Sequence, residues 1–256
     1  MAGLDFEPVI AAALYAGMRI SGLMLFAPFF GSTAAPARVK LGLAVALTAL
    51  LYPVYGPARL EVSAAGWTRL ALSEAMVGLM LGLSVQLIFD AAQFAGQVMG
   101  IQMGFSLVNI IDPQTEVDNP VLSIFYQLIT LLIFIQLDVH HWLLRGVARS
   151  FAYLPPGTMV LSLSGTMHWM SAAGGIWLAG VQIAAPALLA TMLADVTLGF
   201  LGKASPQLPV LFIGLSVKSL LGMVLMMAAL PLWPRLLEKH FAQAVRLGEQ
   251  LLQLAR

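Results

Sequence analysis

Long apolar runs, broken by short polar and proline-containing stretches, recur along the whole chain and set the first expectations. Segment one runs from about Pro8 to Phe30, near the ~20 residues a spanning helix needs, with Arg19 in its middle. It ends in APFFGSTAAPARVK, where Pro28, Gly31 and Pro36 break helix and Arg38 and Lys40 supply charge. Segment two, Leu41–Tyr55, is short for a full span and closes at Pro53 and Gly56-Pro57, which predicts a half-depth helix packed on others. Segment three, Trp67–Met103, would be about 55 Å long if straight, against about 30 Å of hydrocarbon. It must bend, tilt or protrude. Segment four, Pro120–Leu137, makes about one span. It leads into DVHHWLLRGVARSF, where Arg145 and Arg149 lie one turn apart, as in an interfacial amphipathic helix. Segments five and six, Trp169–Gly202 and Leu208–Trp233, predict a helical hairpin with a KASPQLP tip and a kink at Pro186. The tail, Pro234–Arg256, carries apolar residues at Leu236, Leu237, Phe241, Val245, Leu247, Leu251, Leu252 and Leu254 and reads as an amphipathic helix.

The polar positions inside these runs are the candidates for function. Gln86, Asp90, Gln93 and Gln97 fall on one face of segment three. That stripe faces a protein partner or a water-filled path, not lipid tails. On the same segment Gly78-Leu-Met-Leu-Gly82 and Gly96-Gln-Val-Met-Gly100 are small-xxx-small patterns, which let helices approach closely. Arg19 is expensive in lipid, and pairs with a carbonyl or carboxylate or takes part directly in transport. Asp195 and Lys203 share a face of segment five, and Lys218 lies inside segment six. They form an internal ion pair, a subunit contact or a proton relay. The most conspicuous interruption is Gly104–Asn119, GFSLVNIIDPQTEVDN. Non-helical backbone at bilayer depth survives only where protein buries it or it lines water. This stretch is therefore a loop outside the bilayer or a structured plug inside an assembly.

Composition turns the pattern into a class. Of 256 residues, 60% are hydrophobic and 10% charged, against about 25% charged in ordinary soluble domains. Mean hydropathy is +0.89. The chain is read as an all-α integral membrane protein of long kinked helices and hairpins, with about six apolar segments. A net charge of +1 without a basic cluster points away from nucleic acid. Asp5 and Glu7 stand where a cleavable signal would carry Lys or Arg, so the first apolar segment is expected to remain. The Lys/Arg excess of the tail predicts a cytoplasmic C-terminus and an external N-terminus. The absence of cysteine excludes disulfides and thiolate chemistry. No phosphate-cradling loop, nucleophile elbow or HExxH motif occurs. No catalytic residue, cofactor or metal is expected. The four histidines (His140, His141, His168, His240) show no metal-ligand spacing with carboxylates, and His140 and His141 are expected on different sides of a helix. Fourteen methionines read as core filler or as a deformable contact surface. Two rival classes remain: a transporter using Arg19, Asp90, Asp195 and Lys203 as a charge pathway, and a lipid-modifying enzyme using Asp112 or His140-His141.

An ordered set of stretches then narrows the reading. Arg19, Gly22 and Pro28-Phe29 are followed by PARVK at Pro36–Lys40. The helix EAMVGLMLGLSVQLIFDAAQFAGQVMGIQMG runs into DPQTEVDNPVLS. HHWLLRGVARSFAYLPPG, AAPALLATMLADVTLGFLGKASPQLPV and Lys218 come after it. In this order they resemble the FliR family of flagellar export-gate proteins, whose virulence counterpart is the T-type subunit of the type III injectisome. The DPQT loop and the SFAYLPPG run are similar to the flagellar branch. The resemblance implies a single export-gate domain, with a FliP-like part over 1–155, a FliQ-like hairpin over 156–234 and an amphipathic tail over 235–256. It implies assembly with FliP and FliQ, beside FlhB-like and FlhA-like components, into a narrowing pore for unfolded protein substrates. The complex would belong to the inner membrane at the flagellar basal body and contact membrane lipid, with much of it standing above the bilayer plane, which accounts for segments too short or too long to span. It further implies that Gly104, Phe105, Ser106, Leu107, Val108, Asn109, Ile110, Ile111, Asp112 and Pro113 help plug that pore. Arg19, Gln86, Asp90, Gln93, Gln97, Asp195, Lys203 and Lys218 would then be buried polar or subunit-packing positions.

Overall fold

The computed structural model describes residues 6–28, 31, 36–55, 64–105, 121–159, 163–207 and 209–254. Among them the chain is all helix, with no strand. The helices are α1 (Phe6–Phe26), α2 (Ala37–Tyr55), α3 (Ala64–Gln102), α4 (Val121–Gln136), α5 (Val139–Tyr153), α6 (Leu163–Ala204), α7 (Val210–Ala229) and α8 (Trp233–Leu254). A 3-10 turn, Leu230–Leu232, joins the last two. Among the described residues, three stretches are long and apolar enough to cross a membrane: Gly66–Gln102, Trp177–Ala204 and Phe212–Gln250. Val121–Gln136 and Val139–Tyr153 add a fourth if that broken pair is one span.

One boundary moves for a physical reason. α2 begins at Ala37 and has 19 residues, because Arg38 and Lys40 ride its first turn at the surface and do not end it. Lys40 Nζ donates to the Gly31 carbonyl at 3.2 Å. α6 runs through Pro186 as one 42-residue helix. Pro234 sits in the first turn of α8, where a missing N–H costs nothing.

Contacts divide the chain into two units. The first comprises residues 1–87, 138–174 and 241–256. Here α1 crosses the first half of α3 at glycines. A Cβ on Gly22 would run into the Ala75 carbonyl, and one on Gly78 into the Arg19 carbonyl; one on Gly82 would lie 2.7 Å from the Leu23 carbonyl. Backbone thus meets backbone, and the small-xxx-small pattern at Gly78 and Gly82 is the reason. Tyr15 stacks on Trp67 with ring centroids 5.3 Å apart. Leu81, Val85, Leu143, Val147 and Phe241 complete a fully covered core. The apolar face of α8 enters it through Phe241, Ala244 and Leu252.

The second unit comprises residues 88–137 and 175–240. Its centre is the second half of α3. A Cβ on Gly96 would lie 2.7 Å from the Leu122 carbonyl of α4, and one on Gly180 of α6 would lie 2.5 Å from the Ala91 carbonyl. Edge-on ring pairs fill the gaps: Phe89 with Phe134 and Phe94 with Trp177. The α6–α7 hairpin buries much less of itself. Phe200 and Phe212 are 71% and 74% exposed, which leaves two helix faces for lipid or sister subunits to cover.

Candidate functional site

Among the described residues, the most deeply buried ionic group is Arg19, in α1 of the first unit. Its relative exposure is 0%, and that of Glu74 on α3 is 1%. Nε donates to Glu74 Oε2 at 2.8 Å, and Nη2 approaches the same oxygen at 2.7 Å. Nη1 donates to Ser150 Oγ at 2.8 Å and Nη2 to the Leu154 carbonyl at 3.1 Å. The guanidinium carbon lies 4.1 Å from the Phe151 ring centroid, a contact worth about 0.5–2 kcal/mol. Glu74 Oε1, left over by the arginine, accepts the Gly157 N–H at 3.1 Å. Gly157 has φ 80°, a conformation that suits glycine. One charge pair thus ties α1, α3, the last turn of α5 and the turn beyond it. A buried pair is stable only when its remaining donors and lone pairs are satisfied. Here the serine, the carbonyl and the turn N–H do that.

A second polar group lies in the second unit, where α3 ends. Asp195 of α6 receives Lys218 of α7 on Oδ1 at 2.7 Å and Gln102 Nε2 on Oδ2 at 2.8 Å. Ser219 Oγ donates to the Met103 carbonyl at 2.8 Å. Met103 is buried over Gly222, where a Cβ would come within 2.6 Å of the sulfur. Beyond it the chain turns out of the helix. Gly104 has φ 84°, its N–H donates to the Ile101 carbonyl at 3.0 Å, and the Phe105 N–H donates to the Gly100 carbonyl at 2.9 Å. These two bonds with a left-handed glycine make a Schellman cap. The chain therefore leaves α3 at a fixed point, held to the hairpin by two hydrogen bonds and a side chain seated on a glycine.

The sequence-derived positions distribute as follows. Gly104 and Phe105 stand at the cap, with Phe105 38% exposed. Ser106, Leu107, Val108, Asn109, Ile110, Ile111, Asp112 and Pro113 lie outside the described residues. Asp195 and Lys218 come together; Lys203, in the last turn of α6, is exposed, where a cation suits the helix C-terminus. Gln86, Asp90 and Gln93 are half-buried and Gln97 is exposed. Glu74, Ser150, Leu154, Gln102, Ser219 and Gly222 were not singled out from the sequence. Glu74 was the most findable, a carboxylate within an apolar helix that matches an arginine within another.

The histidines require a correction. His140 and His141 do not diverge: their ring centroids are 4.1 Å apart. His141 Nδ1 lies 3.2 Å and His140 Nε2 3.8 Å from Asp138 Oδ1. The expectation assumed a regular helix throughout. Asp138 instead takes a left-handed conformation, φ 55° and ψ 29°, at the N-cap of α5, which brings its carboxylate over both rings.

Comparison with known proteins adds a family. The sequence profile of bacterial export proteins, family 1, matches residues 10–244. The chain is 30% identical to the flagellar biosynthetic protein FliR of Escherichia coli (strain K12), covering 90% of this chain and 88% of that one. It is 29% identical to the protein of the same name from Bacillus subtilis (strain 168), over 95% of both chains. It is 26% identical to that of Aquifex aeolicus (strain VF5), over 96% of both.

Proposed function

We propose that this chain, which belongs to the bacterial export proteins, family 1, is a structural and gating subunit of the flagellar type III export gate. That it is a component of the flagellar export apparatus rests on relatives named flagellar biosynthetic proteins across nine-tenths of its length. The finer reading is that it assembles with FliP-like and FliQ-like subunits, beside FlhB-like and FlhA-like components, into a pore for unfolded flagellar proteins in the inner membrane. Residues 1–155 would take the FliP-like place, 156–234 the FliQ-like place and 235–256 the tail. The chain carries no chemistry of its own in this reading, and energy comes from its partners.

The observation that carries the gating role is the anchored root of the interruption. The Schellman cap at Gly104 and the Gln102–Asp195–Lys218 contacts hold the point from which Gly104–Asn119 departs. A plug needs such an anchor on a rigid element, because a segment free at both ends has too many conformations to seal a pore. The exposed apolar faces of α6 and α7 support a place among sister subunits.

The test is assembly and complementation. In a strain lacking its own copy of the family member, this chain with its native FliP-like and FliQ-like partners should restore swimming and copurify with both. A monomer that moves small solutes in liposomes unaided would contradict the reading and favour the transporter class.

A further inference from the structure

The geometry points to a divalent metal site in the first turn of α5, made by Asp138, His140 and His141; we propose that it binds Zn²⁺ or a similar first-row transition ion. One ligand atom from each of the three side chains lies within 4.8 Å of the others. Asp138 Oδ1 is 3.2 Å from His141 Nδ1 and 3.8 Å from His140 Nε2. Zinc bonds nitrogen and carboxylate oxygen at about 2.0–2.2 Å, so ligand atoms around a tetrahedral ion stand roughly 3.3–3.5 Å apart. The two carboxylate–imidazole separations bracket that value, and all three ligand atoms lie within 4.8 Å of one another, close enough to converge on one ion.

The backbone supplies a second observation. Among the described residues Asp138 is the one non-glycine with positive φ. An aspartate in that place ordinarily caps the helix with its carboxylate, at a gain of about 1 kcal/mol. Here the side chain makes no cap hydrogen bond and faces the imidazoles. The left-handed conformation costs about 1–2 kcal/mol in an ordinary L-residue and less in aspartate. The carboxylate is instead within hydrogen-bond distance of His141 Nδ1, at 3.2 Å, so the forgone cap is exchanged for contact with the rings.

The donor set selects the ion. Two imidazoles and one carboxylate suit zinc and its neighbours, whereas calcium and magnesium want oxygen ligands. Asp138 is 67% and His141 56% exposed, so an ion reaches the site from solvent and keeps an open position for water or a further ligand.

The experiment uses the full, tag-free chain purified with its partner subunits and stripped with a chelator. Zn²⁺ is titrated calorimetrically, and Co²⁺ serves as a visible-absorption probe of coordination. Uptake of one ion per chain is expected, weakened about tenfold or more by His141→Ala and by Asp138→Asn, and unchanged by His240→Ala. Asparagine tolerates the left-handed conformation, so Asp138→Asn removes a ligand charge with the backbone in place and carries the test should His141→Ala misfold. No uptake by the wild-type complex, or the same uptake in Asp138→Asn as in wild type, overturns the proposal.

Discussion

Arg19–Glu74 and Lys218–Asp195 are both pairs of opposite charge inside apolar helices, yet they are built differently. The first has side chains 0% and 1% exposed, with a serine, a carbonyl, a turn N–H and an aromatic face around it. The second is 18% and 45% exposed, with one glutamine beside it. Burial sets what each can contribute. A sealed pair is costly to break, because the surviving partner keeps its desolvation penalty. A half-exposed pair has given up less of its solvation, so breaking it leaves a smaller penalty on the survivor. Arg19–Glu74 is therefore a fastening on which the first unit depends. Lys218–Asp195 positions the end of α3 and contributes little to stability.

The largest effect follows from cutting that fastening. Arg19→Ala leaves the Glu74 carboxylate buried without a partner, and is expected to cost about 3–5 kcal/mol. It should appear as loss of assembled complex or a steep drop in its unfolding midpoint. The double variant Arg19→Met/Glu74→Leu should recover part of that loss, since it removes the unpaired buried charge while the Gly157 N–H and the Leu154 carbonyl lose their partners. A double variant as poor as the single one would mean that the charge pair has a role beyond fastening.

Next comes the glycine crossing behind the pair. Gly78→Ala sets a methyl against the Arg19 carbonyl, and overpacking of this kind costs about 1–3 kcal/mol. A thermal melt of the purified complex reads it. At the cap, Gly104→Ala forces a left-handed alanine at φ 84°, a cost of about 1–2 kcal/mol. Its effect on gating should exceed its effect on assembly, because it redirects the chain entering the interruption. Asp195→Asn is expected to be mildest on stability, within about 1 kcal/mol, while export and swimming fall. Equal losses of assembly in Asp195→Asn and Arg19→Ala would erase the contrast between the two pairs.

The sequence displayed the helices through their apolar lengths and displayed Arg19 through its isolation. The partners were hidden, because pairing of Arg19 with Glu74 depends on a helix crossing. That crossing was half-visible in Gly22, Gly78 and Gly82, which permit close approach without naming the neighbour. The start of α2 was misplaced because charges on a first turn look like loop, while its end at Tyr55 was legible. The convergence of Asp138, His140 and His141 was invisible for another reason. It turns on one backbone φ, and an aspartate in the left-handed region has the same letter as one in a regular helix. Gly104, by contrast, marked the end of α3 correctly, since a glycine after a long apolar helix is the residue a C-cap needs.

The central claim is that the stretch leaving the Gly104 cap closes a conduit formed with other subunits. The direct measurement is solute leak through reconstituted complexes containing this chain and its FliP-like and FliQ-like partners, with Phe105–Ile111 present or deleted. The account predicts intact assembly and a large rise in leak on deletion; assembled complexes that stay as tight without those residues as with them would contradict it.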